Sequence, residues 1–195
     1  ANICGKIANK IFAKASKYEP KITKDLQKSV NKRGSLYGLD YRLKQPNSIA
    51  AKIGADSKEN KVDFNTAAND IKDSIRYTVI NRNDNFVKNY NAIKNDLLNK
   101  GYNEIKCKNY FDRFDKGMAK HKSVQSVFAN NDGISFEIQF QTPESQAAKN
   151  LKVPIYEERR KLTNTTERNL QLEKQMEDLA KMVPNPKRVY SIKEH

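Results

Sequence analysis

Residues 36–53, LYGLDYRLKQPNSIAAKI, change hydrophobic period midway. Leu39, Tyr41 and Leu43 alternate with Asp40, Arg42 and Lys44. A period of two predicts a strand with the first set on a buried face and the second on an open face. Gln45-Pro46-Asn47-Ser48 then breaks the alternation, with Pro46 as the turn residue, and Ser48 to Ile53 reads as the start of a helix capped by Asn47 or Ser48. Two cations on one strand face thus point at a helix N-terminus that carries a hydroxyl, with Lys52 one turn further on. Donors, positive charge and a helix dipole in one place suit a polyphosphate. An ordinary solvated basic strand would have the same composition.

On the N-terminal side, Ile3, Ile7, Ile11 and Ala15 make one helix face that ends before Pro20. A second helix is expected from Pro20, carrying Ile22, Leu26 and Val30. On the C-terminal side, residues 54–61 read as a polar loop and Asp63 as the cap of a short helix. Residues 73–80 are β-branched and aromatic and read as a strand. Phe86, Tyr90, Ile93 and Leu97 mark a helix stopped at Gly101. Residues 102–108 and 121–128 read as strands separated by a charged loop, and Asn130-Asn131-Asp132-Gly133 as a hairpin turn. Residues 134–141 alternate most cleanly, with Ile134, Phe136, Ile138 and Phe140 facing one way and Ser135, Glu137, Gln139 and Gln141 the other. Pro143 opens a helical stretch expected to break near Pro154; Leu172, Met176, Leu179 and Val183 mark a last helix, followed by a basic tail. These intermixed elements predict an α+β protein with a mixed sheet of about five strands flanked by helices.

The chain of 195 residues is long enough for one domain with a real core. Its expected parts are N-terminal helices at 1–34, a core at 35–145, and C-terminal helices with the basic tail at 146–195, all in one structural domain. Hydrophobic residues make up 37% and charged residues 31%, and no apolar run approaches the roughly 18 residues of a membrane span. A start at Ala1 reads as a piece of something longer, and no signal-peptide layout is present. The formal net charge of +14 favours polyanionic partners: nucleic acid, nucleotides or an acidic binding protein. Cys4 and Cys107 have no metal-ligand spacing; they are either one long-range bridge or, as expected, two free thiols in a reducing cytosol. Two histidines, His121 and His195, cannot build a histidine-rich metal site.

Three segments together resemble the RelA/SpoT-like nucleotidyltransferases, which move pyrophosphate from ATP to a ribose hydroxyl. Arg42-x-Lys44-x-x-x-Ser48-x-x-x-Lys52 has the spacing of that family's ATP-phosphate motif. Asp70-Ile-Lys-Asp73-Ser-Ile-Arg76 resembles its strand with a magnesium-binding Asp before an Arg, but neither Asp has the family's spacing. Asp73 is displaced by two residues and keeps its strand face; Asp70 would need a one-residue bulge and is the substitute. Glu137-Ile-Gln139-Phe-Gln141-Thr142 resembles Glu-x-Gln-x-Arg-Thr, with Gln141 in place of the Arg. Lys108-Asn-Tyr-Phe and Lys120-His121-Lys-Ser-Val-Gln125 are looser matches, with His121 where the family has a guanine-stacking Tyr and Gln125 where it has a His. Thr142-Pro-Glu-Ser145 and Tyr156-Glu-Glu-Arg159 resemble a branch found at the C-terminus of delivered bacterial toxins.

The resemblance implies a RelA/SpoT synthetase-like fold over about residues 35–145 and an ATP-dependent pyrophosphokinase. Arg42, Lys44, Ser48, Lys52 and Arg76 would hold ATP. Asp73 (or Asp70) and Glu137 would hold Mg2+ and carry the catalysis. Lys108, His121, Gln125 and Gln139 would meet the acceptor, which is a purine nucleotide or the 3′ end of an RNA. It also implies a growth-inhibiting toxin acting in the cytoplasm of a target cell, countered by an acidic immunity protein. The competing readings are a metal-dependent nuclease and a non-catalytic basic nucleic-acid-binding module.

Overall fold

In the computed structural model, which describes residues 2–195, the chain runs through α1 (Ile3–Val30), β1 (Ser35–Tyr37), α2 (Pro46–Asn60), α3 (Phe64–Asn69), β2 (Arg76–Ile80), α4 (Phe86–Asn99), β3 (Asn103–Asn109), α5 (Tyr110–Asp115), β4 (Val124–Ala129), β5 (Ser135–Gln141), α6 (Pro143–Arg159) and α7 (Thr166–Lys181). The five strands form one mixed sheet in the order β1-β2-β5-β4-β3. Only β2 and β5 are parallel. The cleanest alternation in the sequence thus becomes the central strand. Phe136, Ile138 and Phe140 are fully buried, and Phe136 meets Tyr77, Tyr102 and Phe128. The turn into β5 forms as expected: Gly133 has φ 79°, and the Asn130 side chain accepts from the Asp132 and Ile134 amides at 3.0 and 2.9 Å.

Against one face of the sheet, Ala15, Ile22, Leu26 and Val30 of α1 join Phe86, Tyr90, Ile93 and Leu97 of α4 in the main core. The first turns of α1 leave the sheet. There Cys4 and Ala8 pack with Ile49, Ile53, Ala67 and Ile71 in a second, smaller core around α2 and α3. The helix break expected at Pro20 does not occur, and α1 is one helix of 28 residues. Proline removes one intrahelical hydrogen bond, but Pro20 is exposed, and the buried stripe runs through it from Ala15 to Ile22. The helix expected to break near Pro154 likewise runs on to Arg159.

The expected strand over residues 39–44 is also corrected. β1 ends at Tyr37, Gly38 adopts φ 69°, and Leu39–Tyr41 is a 3-10 turn. Tyr41 is 74% exposed rather than buried. Only Leu43 pairs, in a single antiparallel bridge to Ile75. A left-handed glycine turns the chain out of the sheet, and three alternating pairs are too few to override it. The helix starts at Pro46, with Gln45 as N-cap and no side-chain cap bond, so Ser48 is its third residue rather than its cap. Proline has no amide proton to satisfy at a first helical position and needs no cap for it. The polar loop expected at 54–61 is the second half of α2, because Ile53 is buried inside it. The strand expected from Asp73 begins at Arg76, and that expected from His121 begins at Val124. The charged loop between β3 and β4 holds α5.

Cys4 and Cys107 are free and buried. The tail lies on the domain, with Val189 and Ile192 buried and the His195 backbone exchanging bonds with Cys107 at 3.0 and 3.2 Å. It covers the otherwise open edge of β3. Among the described residues no helix is long and apolar enough to cross a membrane.

At the exit of β5, Thr142 closes a reciprocal capping box: its Oγ1 accepts from the Ser145 amide at 3.0 Å, and Ser145 Oγ accepts from the Thr142 amide at 2.9 Å. The box aims α6 across the sheet's open face. Thr142→Ala is expected to cost about 1–2 kcal/mol, read as a lower denaturant midpoint with an unchanged slope.

Candidate active site

The sheet's second face carries polar side chains because each strand alternates. Register sets Arg76 beside Glu137 and Thr78 beside Gln139 across β2 and β5. It sets Gln139 beside Gln125 across β5 and β4, and Gln125 beside Lys108 across β4 and β3. Two cavities open on this face. One, of about 230 Å3, is lined by Lys52, Asp70, Asp73, Lys108, Tyr110 and Glu137 among others. The second, of about 240 Å3, is lined by His121, Gln139, Gln141, Lys149 and Lys152 among others. Gln125 lines both.

The single bridge at Leu43 organises the first cavity. The Lys44 amide donates to the Ser74 carbonyl at 2.9 Å and the Arg76 amide to the Arg42 carbonyl at 2.8 Å. This pairing sets Lys44 beside Asp73, and Lys44 Nζ meets Asp73 Oδ2 at 2.6 Å. The other oxygen, Oδ1, is buried and has no hydrogen-bond partner. A buried carboxylate oxygen without a partner calls for a further cation or donor. Asp70 is the C-cap of α3, exposed, on the rim of the same cavity.

Glu137 stands across the cavity on β5 and accepts from Gln139 Nε2 at 2.8 Å. Lys149 Nζ donates in turn to Gln139 Oε1 at 2.8 Å, which fixes the direction of the Gln139 amide. Lys149 is an exposed residue, yet the protein packed around its ammonium lowers its pKa, against the opposing pull of Glu137. Burial also lowers the Lys108 pKa, with Lys106 and Arg113 adding to it. Among the described residues no three His, Cys, Asp or Glu side chains form a metal cage. Two carboxylates, Asp73 and Glu137, facing a shared cavity fit Mg2+, which keeps few protein ligands and completes its shell with water and substrate phosphates.

His121 sits on the loop before β4 and packs on Tyr110, with ring centroids 4.4 Å apart. The residue is exposed, but the protein packed around its ring, with Lys152 and Lys149 nearby, holds its pKa at about 4. The folded chain therefore takes up this proton only near pH 4, whereas the unfolded chain takes it near 6.5. His121 has no effect on stability above that window, and makes stability fall with pH inside it. His121→Phe is expected to shrink the loss of stability between pH ~7 and ~5, read by denaturant melts of both proteins.

Not every expected residue lines these cavities. Arg42 turns toward α1, where Nε meets Glu19 at 2.6 Å and Nη1 donates to the Leu39 carbonyl at 2.9 Å. Ser48 is exposed and lines neither cavity. Arg76 lines neither cavity but a third hollow of about 370 Å3, which it shares with Tyr41, Lys149 and Gln139, the last of which also lines the second cavity. Tyr110, Lys149 and Lys152 were not among the sequence candidates. The two lysines lie three residues apart on the helix that follows the Glu137 strand, the one available signal that they share its face.

No protein-family model and no curated protein matches the sequence. Solved structures do match in fold. Small alarmone synthetase 2 from Bacillus subtilis is 14% identical with a TM-score of 0.59, covering 90% of this chain and 89% of its own. The type VI effector Tas1, solved with its immunity protein, is 18% identical with a TM-score of 0.54, covering 89% of this chain and 94% of its own. A GTP pyrophosphokinase family protein from Streptococcus pneumoniae is 16% identical with a TM-score of 0.54, covering 88% and 85%. The chain has the RelA/SpoT-like synthetase fold.

Proposed function

We propose that this chain is an ATP- and Mg2+-dependent pyrophosphokinase that transfers the pyrophosphoryl group of ATP to a ribose hydroxyl of a purine nucleotide or of an RNA 3′ end. One observation carries the reading. On a sheet of this fold, a cavity faced by Asp73, Glu137 and Lys52 adjoins a second cavity lined by His121 and Gln139, with Gln125 on the wall between them. The first suits a polyphosphate and the second a nucleoside.

In this reading Lys44, Lys52 and Arg76 neutralise and orient the ATP phosphates, Ser48 adds a hydroxyl at the start of α2, and Arg42 joins them once released from Glu19. Mg2+ held by Asp73 and Glu137 would supply charge neutralisation on the phosphate oxygens. Glu137 accepts the proton of the attacking hydroxyl. The new bond joins the acceptor oxygen to the β-phosphorus. The bond from that phosphorus to the α-phosphate oxygen breaks, and AMP leaves with the electron pair. Lys108, Gln125 and Gln139 position the acceptor, and the neutral His121 ring stacks on its base in place of a tyrosine.

The Tas1 likeness supports a toxin that inhibits growth in the cytoplasm of a target cell, with an acidic immunity protein as partner for this basic chain. The test is incubation with γ-labelled ATP, Mg2+ and, separately, guanine nucleotides, adenine nucleotides and tRNA. Label is expected on one acceptor class. Label on none would overturn this reading, and RNA cleavage without ATP would replace it with the nuclease.

A further inference from the structure

Seven lysines of α1 fall on one line: Lys6, Lys10, Lys14, Lys17, Lys21, Lys24 and Lys28. Each is three or four residues from the next, so they occupy a stripe about 80° wide on the helix. All seven are exposed, and the buried residues Ala8, Ala15, Ile22 and Leu26 lie on the opposite face. From Lys6 to Lys28 the stripe extends roughly 33 Å. It is far from neutralised. The two acids of α1, Glu19 and Asp25, are both buried. Glu19 is bound to Arg42, and only Lys21 of the seven reaches a carboxylate, Asp25 at 2.8 Å. A solvated helix face normally interleaves both signs, because like charges three or four residues apart oppose the helix. Lys6/Lys10, Lys10/Lys14, Lys14/Lys17, Lys17/Lys21, Lys21/Lys24 and Lys24/Lys28 are all such pairs.

We infer that this face of α1 binds the phosphodiester backbone of a nucleic acid. The composition of the face selects that partner over an acidic protein. Protein interfaces enrich aromatic residues, Met and Arg at their centre and deplete Lys. Here the exposed residues between the lysines are Asn9, Ala13 and Pro20, with no exposed aromatic ring or arginine on the helix. With no exposed aromatic ring or arginine to stack on a base, and with seven like charges in line, the stripe contacts chiefly phosphates, which position a strand rather than read it. This inference requires nothing of the two cavities, and it is tested without ATP.

The experiment compares the parent chain, a stripe variant (Lys10→Gln, Lys17→Gln, Lys24→Gln, Lys28→Gln) and a control of equal charge (Lys58→Gln, Lys88→Gln, Lys161→Gln, Lys187→Gln). Each is titrated by fluorescence anisotropy against a labelled RNA hairpin and a DNA hairpin of the same stem, between about 50 and 200 mM salt. The stripe variant is expected to lose affinity, and its slope of log K against log salt to shrink by about 0.9 for each lysine that meets a phosphate. The control is expected to stay near the parent, and a Lys→Arg stripe variant to retain binding. The RNA and DNA arms show which backbone is held better. Thermal melts of the stripe variant are expected to match or exceed the parent, since repulsive pairs are removed. Equal losses in stripe and control variants would make the effect one of net charge and overturn the inference. So would parent-like binding by the stripe variant, or a stripe variant that keeps nucleic acid but loses an acidic protein partner.

Discussion

Glu137→Gln is expected to lower pyrophosphoryl transfer by about 10²–10⁴-fold and to leave the fold unchanged. The side chain is half-buried on the open face of the sheet, and its one protein hydrogen bond is the 2.8 Å contact from Gln139. Glutamine has the same shape and still offers a carbonyl oxygen to that amide. The substitution therefore removes charge and basicity without opening a cavity. Stability should stay within about 0.5 kcal/mol of the parent. Single-turnover rates and a denaturant melt on the same preparation separate the two effects. A Glu137→Gln chain as fast as its parent would remove this carboxylate from the chemistry.

The pair Asp73→Asn and Asp70→Asn decides which aspartate serves the site, a question that the sequence spacing leaves open. Asp73→Asn is expected to lose at least about a hundredfold in rate, and Asp70→Asn only a few-fold. The asymmetry is structural. Asp73 lines the cavity, is gripped by Lys44 on one oxygen and keeps the other buried and unpartnered. Asp70 is solvent-exposed at a helix end. Asp73→Asn also leaves Lys44, whose side chain is only 11% exposed, facing a neutral group, a stability cost of about 1–3 kcal/mol. Raising Mg2+ should partly restore Asp73→Asn turnover if the loss lies in metal affinity. The reverse ranking of the two variants would assign the role to Asp70.

The legible parts of the chain are those where burial repeats over enough residues to overrule local signals. β5 was readable because its three core side chains, Phe136, Ile138 and Phe140, alternate without a glycine or proline. The hairpin before it was readable because Asn130 and Gly133 carry specific turn geometry. Residues 39–44 misled because alternation that short is compatible with a 3-10 turn once Gly38 redirects the backbone. Pro20 misled in the other direction, since a proline facing solvent does not end a helix whose other face is packed on both sides of it.

The site shows the same division. Lys52, Asp73, Lys108, Gln125 and Glu137 come from five separate stretches and meet around one cavity. Motif spacing could nominate each of them but not their convergence. Arg42 was nominated on the same spacing, and its turn toward Glu19 was invisible because that contact joins residues 23 apart across two elements. Lys149 and Lys152 were missed because they fall on α6 between the matched runs at 142–145 and 156–159, and reach the site only through the capping box at Thr142 that directs this helix.

The central claim is that the two terminal phosphates of ATP move as one unit to a hydroxyl across the Asp73–Glu137 cavity. Parallel reactions with α-labelled and γ-labelled ATP, each with the acceptor that takes label, measure this directly. α-Label is expected to be recovered wholly as AMP while γ-label appears on the acceptor in equal molar amount, and both are expected to fall at least about a hundredfold in the Glu137→Gln chain. Recovery of α-label as ADP, or of γ-label as free phosphate with the acceptor unmodified, would contradict it.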